Sequence, residues 1–203
     1  MAAARMTITE TAAWRRYSSV AVLLHWSIAA LIIFNLITGL IHDDVSKPVQ
    51  QVMMPLHFSA GITVLLLTVL RIAWRLTHRP PPMDRRTTRY ERAAANTVYV
   101  LFYAGMLLMP LLGWAIISSH PPKPGPAMML WGVIPWPALG PAAQIAPAAV
   151  QKHWNHVFAD WHGIGGWIML GLLALHIAGA LKHQFFDRIP ELQRMSLAGR
   201  SQP

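Results

Sequence analysis

Four of the ten histidines stand where a histidine is hardest to keep. His25, His57, His162 and His176 lie inside long apolar runs. An ionisable side chain inside a membrane is costly, so function is its default reading. A hydrogen bond between helices would explain one such histidine, but four in a matched pattern ask for more. His162 and His176 are 14 residues apart. That is close to four helical turns and about 21 Å of rise, so both point from one face at two depths. His25 follows Tyr17 by eight residues, and His57 follows Val49 by eight. Each is about 12 Å from the start of its apolar run. With consecutive spans running in opposite directions, His25 matches His176 in depth and His57 matches His162.

Neutral imidazole is a good ligand for haem iron, and two imidazoles fill both axial positions. Such an iron changes oxidation state with little rearrangement and keeps no open site for oxygen. Two pairs at two depths therefore predict two bis-histidine haems stacked across a bilayer, built for electron transfer.

The elements that must position these residues follow from hydropathy. Segments 17–41, 49–70, 93–119 and 161–181 contain no Asp, Glu, Lys or Arg. Each is long enough for the roughly 20 apolar residues that a membrane helix needs. The chain is 12% charged, against about 25% for a soluble domain. The expected fold is all-α: an integral membrane four-helix bundle with haems between the helices. Spans are expected at about 17–41, 49–75, 91–119 and 159–183, forming one unit over 17–186. Residues 1–16 and 187–203 are expected to be tails, and 120–158 a periplasmic loop. Pro80, Pro81 and Pro82 stop the second helix, and Pro110 is of the kind that membrane helices tolerate.

The chain has no cysteine. This excludes disulfides, thiolate ligation, iron–sulfur clusters and covalent haem attachment through Cys-x-x-Cys-His. The net charge of +9 is one-sided. Fourteen basic residues lie before the first span, around the link between the second and third, or after the fourth. Lys47, Lys123 and Lys152 lie on the other side. Lys and Arg are retained in the cytoplasm, so both termini are expected there, in a bacterial inner membrane. Nucleic-acid binding is a poor explanation of charge so placed. The first run is too long for a signal core, and Leu40-Ile41-His42-Asp43 is a poor cleavage site, so it is expected to remain as a span.

Other residues carry two readings each. Gly61, Gly165 and Gly166 follow the histidines by three or four residues, where a small residue admits a flat macrocycle or simply a neighbouring helix. Arg71 lies 14 residues after His57, at the depth of the inner pair. It either pairs with a haem propionate or snorkels to the interface. His153 and His156, near Asp160, have a spacing that suits Zn or Cu, though no further ligand is fixed. His42, His78, His120 and His183, with those two, lie at span ends or in loops and read as solvated. The Pro-rich segment 120–151, with Trp131 and Trp136, reads as a loop on the membrane surface: a lid, a partner contact or a connector.

At these residues the chain resembles the bacterial cytochrome b561 family of four-helix di-haem membrane proteins, from about Arg16 to Phe186. The matching features are Arg16-Tyr17-Ser18 with His25-Trp26, Leu56-His57 with Gly61 and Arg71, and Pro110 to Gly113 in a span without histidine. The fourth helix adds Trp161-His162-Gly163, Leu175-His176 and Leu181-Lys182-His183. The resemblance implies an outer haem b on His57 and His162 and an inner one on His25 and His176. It also implies electron exchange with the quinone pool, ubiquinone included. Some relatives pass electrons from periplasmic superoxide to ubiquinone, and others are cytochrome subunits docked on a redox partner. The expected partners are quinone, membrane lipid and a partner protein. The long loop and amino-terminal tail depart from the family.

Overall fold

The computed structural model describes residues 16–120 and 128–196. Helix α1 (Ser19–Leu40) starts where the Ser18 hydroxyl accepts from the Ala21 N–H, a side-chain cap on an otherwise orphan donor. Helix α2 (Lys47–Thr77) has Pro48 in its first turn and runs on through Pro55. Helix α3 (Arg89–Ser118) opens with a capping box between Thr88 and Glu91. Strands β1 (Met129–Leu130) and β2 (Ile134–Pro135) form a short antiparallel hairpin. Trp131 and Gly132 at its turn have φ of +54° and +72°, the left-handed values that a tight hairpin turn requires. One helical turn, α4 (Gly140–Ala143), leads to α5 (Ala148–Leu181). A π-helical turn (Lys182–Phe186) and α6 (Glu191–Arg194) follow.

Four of these helices are long and apolar enough to cross a membrane. The apolar windows of α1, α3 and α5 are only 11% buried. Most of their Leu, Ile and Val side chains therefore face outwards, as in a protein whose solvent is lipid. The chain is an integral membrane four-helix bundle.

Packing runs in sequence: α1 on α2, α2 on α3, α3 on α5, while α1 and α5 hardly touch. Ile28, Val64 and Met106 meet at mid-height. Between α3 and α5 the packing is reciprocal. Met169 of α5 fills the space beside Gly105, and Met109 of α3 fills that beside Gly165. A Cβ on either glycine would overlap a methionine sulfur, so small residues are what let these two backbones approach.

Two expectations about the ends change. Helix α5 begins at Ala148, eleven residues ahead of the expected span. Nothing after Pro147 breaks the helix, so it continues beyond the apolar run. Residues 187–196, expected to belong to a tail, are docked. The Tyr17 N–H donates to the Arg194 carbonyl (3.2 Å), and the Trp26 indole N–H to the Met195 carbonyl (2.8 Å). The buried Arg194 guanidinium donates to Pro82 O and to Glu191. Beside it, the Arg86 guanidinium holds the Asp84 carboxyl below its usual pKa. Tail residues 1–15 and 197–203 lie outside the described ones. The segment after α3, expected to be a loop, is docked on the bundle. From Met128 to Pro137 it packs against α2 and α3.

Candidate metal centres

Helix geometry brings the four histidines of the spans together in two pairs, with His25, His57 and His162 half-buried and His176 exposed on the bundle. The rings of His25 (α1) and His176 (α5) are 6.1 Å apart, centre to centre, with an angle of 65° between them. Those of His57 (α2) and His162 (α5) are also 6.1 Å apart, at 67°. Two metal–imidazole bonds of about 2 Å, plus about 1 Å from each nitrogen to its ring centre, put the axial rings of one metal about 6 Å apart. Both pairs have that spacing. Among the described residues, no third His, Asp or Glu joins either pair at ligating distance. A donor set of two facing imidazoles suits a metal whose other positions are already filled by a macrocycle, and haem iron is such a metal.

The outer pair is held by hydrogen bonds. The Thr38 hydroxyl lies 2.8 Å from His57 Nδ1 and gives its own proton to the Phe34 or Asn35 carbonyl. It therefore accepts, and His57 carries its proton on Nδ1. His162 Nδ1 lies 3.1 Å from the Met109 carbonyl, which only accepts, so its proton is also on Nδ1. In both rings Nε2 keeps its lone pair for a metal, the usual arrangement of a ligating histidine. Glycines stand beside both rings. A Cβ at Gly39 would lie 3.5 Å from His57 Cε1, and one at Gly113 would lie 3.3 Å from His162 Cε1.

The inner pair has other neighbours. Trp26 meets His25 edge-on at 5.2 Å, and Phe102 meets His176 at 5.6 Å. The charge of Arg71 acts on both rings. Arg71 also donates from Nε to the Tyr103 hydroxyl at 3.1 Å, a partner that hydropathy could not name. Nearby, Arg75 lies over the Tyr99 ring.

Gly61 faces Asn35, whose amide bridges the His57 carbonyl (3.1 Å) and the Gly61 N–H (3.0 Å). Gly165 faces Met109, and space is open beside Gly166. His153, His156 and Asp160 are not gathered into a metal group. The group that forms among the described residues is Glu91, His183 and Asp187. There the Lys182 ammonium contacts both carboxylates, which makes it an ion-pair cluster. Thr38, Gly39 and Met109 escaped sequence reasoning, and Gly113 entered it only as part of the family resemblance, without a role. A threonine, two glycines and a backbone carbonyl on neighbouring helices carry no mark of what they touch.

Comparison with known proteins agrees in kind. The family described as Prokaryotic cytochrome b561 matches residues 16–196. Cytochrome b561 homolog 2 of Escherichia coli (strain K12) is 25% identical over 197 residues, covering 94% of this chain and 95% of that protein. The probable superoxide oxidase CybB of Yersinia pestis is 22% identical over 183 residues, covering 89% and 96%. Cytochrome b562 of Cereibacter sphaeroides is 35% identical over 103 residues, covering 48% and 63%. With its four spans and the family match across most of its length, the chain belongs to the prokaryotic cytochrome b561 family of haem-binding membrane electron-transfer proteins.

Proposed function

We propose that the chain holds two haem b groups and carries electrons between the two sides of the inner membrane, in exchange with the quinone pool. His57 and His162 hold the outer haem, His25 and His176 the inner one. The supporting observation is the equal 6.1 Å spacing of two histidine pairs, set about 21 Å apart along α5. The bound groups supply one-electron chemistry between ferric and ferrous iron. The chain's own residues orient them. Thr38 and the Met109 carbonyl fix the outer imidazoles. Gly39 and Gly113 keep side chains off the outer imidazoles, whereas Gly61 and Gly165, facing Asn35 and Met109, let neighbouring helices approach. Arg71 offers its remaining guanidinium donors to a propionate of the inner haem. Both termini lie in the cytoplasm, on the side of the Arg-rich link between α2 and α3.

A second reading takes superoxide as the donor and ubiquinone as the acceptor. Its support is the likeness to the Yersinia pestis protein. Each superoxide would give one electron and leave as dioxygen, and a quinone would take two electrons and two protons. Charge weighs against it. Only Lys47, Lys123 and Lys152 would stand on the donor side, with Asp43, Asp44 and Asp160, which is poor steering for an anion. A third reading, a cytochrome subunit docked on a redox partner, has no further support.

The test is haem content and the reduced-minus-oxidised spectrum of purified protein, wild type and His176→Ala. Two b haems per chain, falling to one in the variant, is the expected result. Wild-type protein with a single haem or none would overturn the paired-ligand reading.

A further inference from the structure

Segment 128–137 is the part of the chain that the electron-transfer reading leaves unused, and its depth is measurable against the helices. Helix α1 has 22 residues, about 33 Å, hardly more than the roughly 30 Å hydrocarbon core. Its middle therefore marks the middle of the bilayer. Ile28 lies there and packs against Val64 of α2 and Met106 of α3. Thr63, next to Val64, accepts a hydrogen bond from the Trp131 indole at 3.1 Å. The Trp131 backbone N–H donates to the Ser59 hydroxyl at 2.8 Å. Leu130 is buried between Phe58 and Ile62. Trp136 packs on Trp114, and the Leu139 N–H donates to the Ser118 hydroxyl at the end of α3. The hairpin therefore descends from the end of α3 towards mid-membrane.

We propose that this hairpin is a re-entrant element inserted in the leaflet on the His57 and His162 side, with phospholipid acyl chains as the partner of its tip. Its chemistry fits that solvent. Residues 124–151 contain no Asp, Glu, Lys or Arg. Trp131, Val133 and Ile134 are 44%, 70% and 53% exposed, an apolar tip where a turn in water would carry polar residues. Irregular backbone at this depth requires its polar groups to be satisfied by protein. The Val133 N–H donates to Leu130 O and the Trp136 N–H to Met128 O. The two α2 hydroxyls that accept from Trp131 pass their own protons on, Ser59 to Pro55 O (2.7 Å) and Thr63 to Ser59 O (2.8 Å). Ser59 and Thr63, polar residues in the middle of a span, thereby have a purpose that helix–helix packing alone does not give them. None of this depends on which side is periplasmic or on the haems.

The absence of cysteine makes the test direct. Val133→Cys carries a spin label in proteoliposomes of phosphatidylethanolamine and phosphatidylglycerol. Its collision rates with oxygen and with a water-soluble nickel complex are read. Leu66→Cys, on the exposed face of α2, is the lipid reference, and Lys152→Cys is the aqueous one. The expected oxygen-to-nickel ratio at 133 matches that at 66 and exceeds that at 152. A ratio like that at 152 would put the hairpin in water and overturn the proposal. Spin–spin broadening at 133 that vanishes on dilution with unlabelled chain would make a second copy the partner, and overturn it too. Ser59→Ala with Thr63→Ala, checked for retained helicity, is expected to shift the label towards nickel. An unchanged ratio would overturn the role of the hydroxyls as anchors.

Discussion

Around His57 and His162 the chain supplies hydrogen bonds and bare glycines, whereas around His25 and His176 it supplies aromatic edges and a positive charge. The spacing within each pair is the same, so the difference lies in the surroundings. A hydrogen bond accepted from Nδ1 fixes the tautomer and makes the imidazole a stronger donor. A stronger donor favours ferric iron and would lower the potential of a haem held by this pair. The Arg71 guanidinium favours the less positive, ferrous state and would raise that of a haem held by His25 and His176. Both effects act in one direction. If both haems are bound as proposed, these neighbours would favour electron passage from the outer haem to the inner one. On that reading neighbours, more than ligands, would set direction in a molecule whose histidine pairs look alike.

The strongest way to break this comparison is to fill the outer cradle. A Cβ at Gly113 would already stand 3.3 Å from His162 Cε1. Gly113→Leu adds three carbons beyond it and displaces the ring. The expected outcome is loss of one haem of two, with the inner haem's spectrum intact. Retention of both haems would show that Gly113 does not bound the outer site. Thr38→Val is subtler, since it keeps the shape and removes the acceptor for His57 Nδ1. Removal of such a supporting hydrogen bond typically weakens metal binding by about 10–100-fold. The outer haem alone should pass faster to apomyoglobin, and its potential should rise. Equal release of both haems would mean that Thr38 supports the bundle rather than the ligand.

Much of this arrangement was legible in the sequence, for a geometric reason. A membrane span fixes the helix, the helix fixes rise and face, and depth then pairs His25 with His176 and His57 with His162. The rings of those pairs are the ones that face each other. The four helices were legible from charge-free runs alone. Legibility ended where contact depends on rotation between helices. Thr38 is 19 residues from His57, and Met109 is 53 from His162. No local pattern announces either. The docking of the hairpin was not legible because proline and glycine mark turns in any solvent. Its hydrogen bonds to Ser59 and Thr63 join residues 72 and 68 positions apart. The docked segment 187–196 was hidden for the same reason, since a buried Arg194 looks in sequence like any tail arginine.

The smallest expected effect sharpens the inner half of the comparison. A unit charge about 10 Å away contributes about 1.7 kcal/mol at an effective dielectric of about 20. For one electron this is about 70 mV, an upper figure if a propionate shares the charge. Arg71→Leu should therefore lower the inner haem's midpoint by up to that amount and leave the outer haem's unchanged, read by potentiometric titration. Tyr103→Phe provides the control. It removes the 3.1 Å hydrogen bond to Arg71 Nε and keeps the charge. A large shift in Arg71→Leu with a small one in Tyr103→Phe assigns the effect to charge. Equal shifts in both would assign it to the position that Tyr103 gives the guanidinium. No shift in either would return Arg71 to an interfacial role, and the downhill direction would then rest on the outer hydrogen bonds alone.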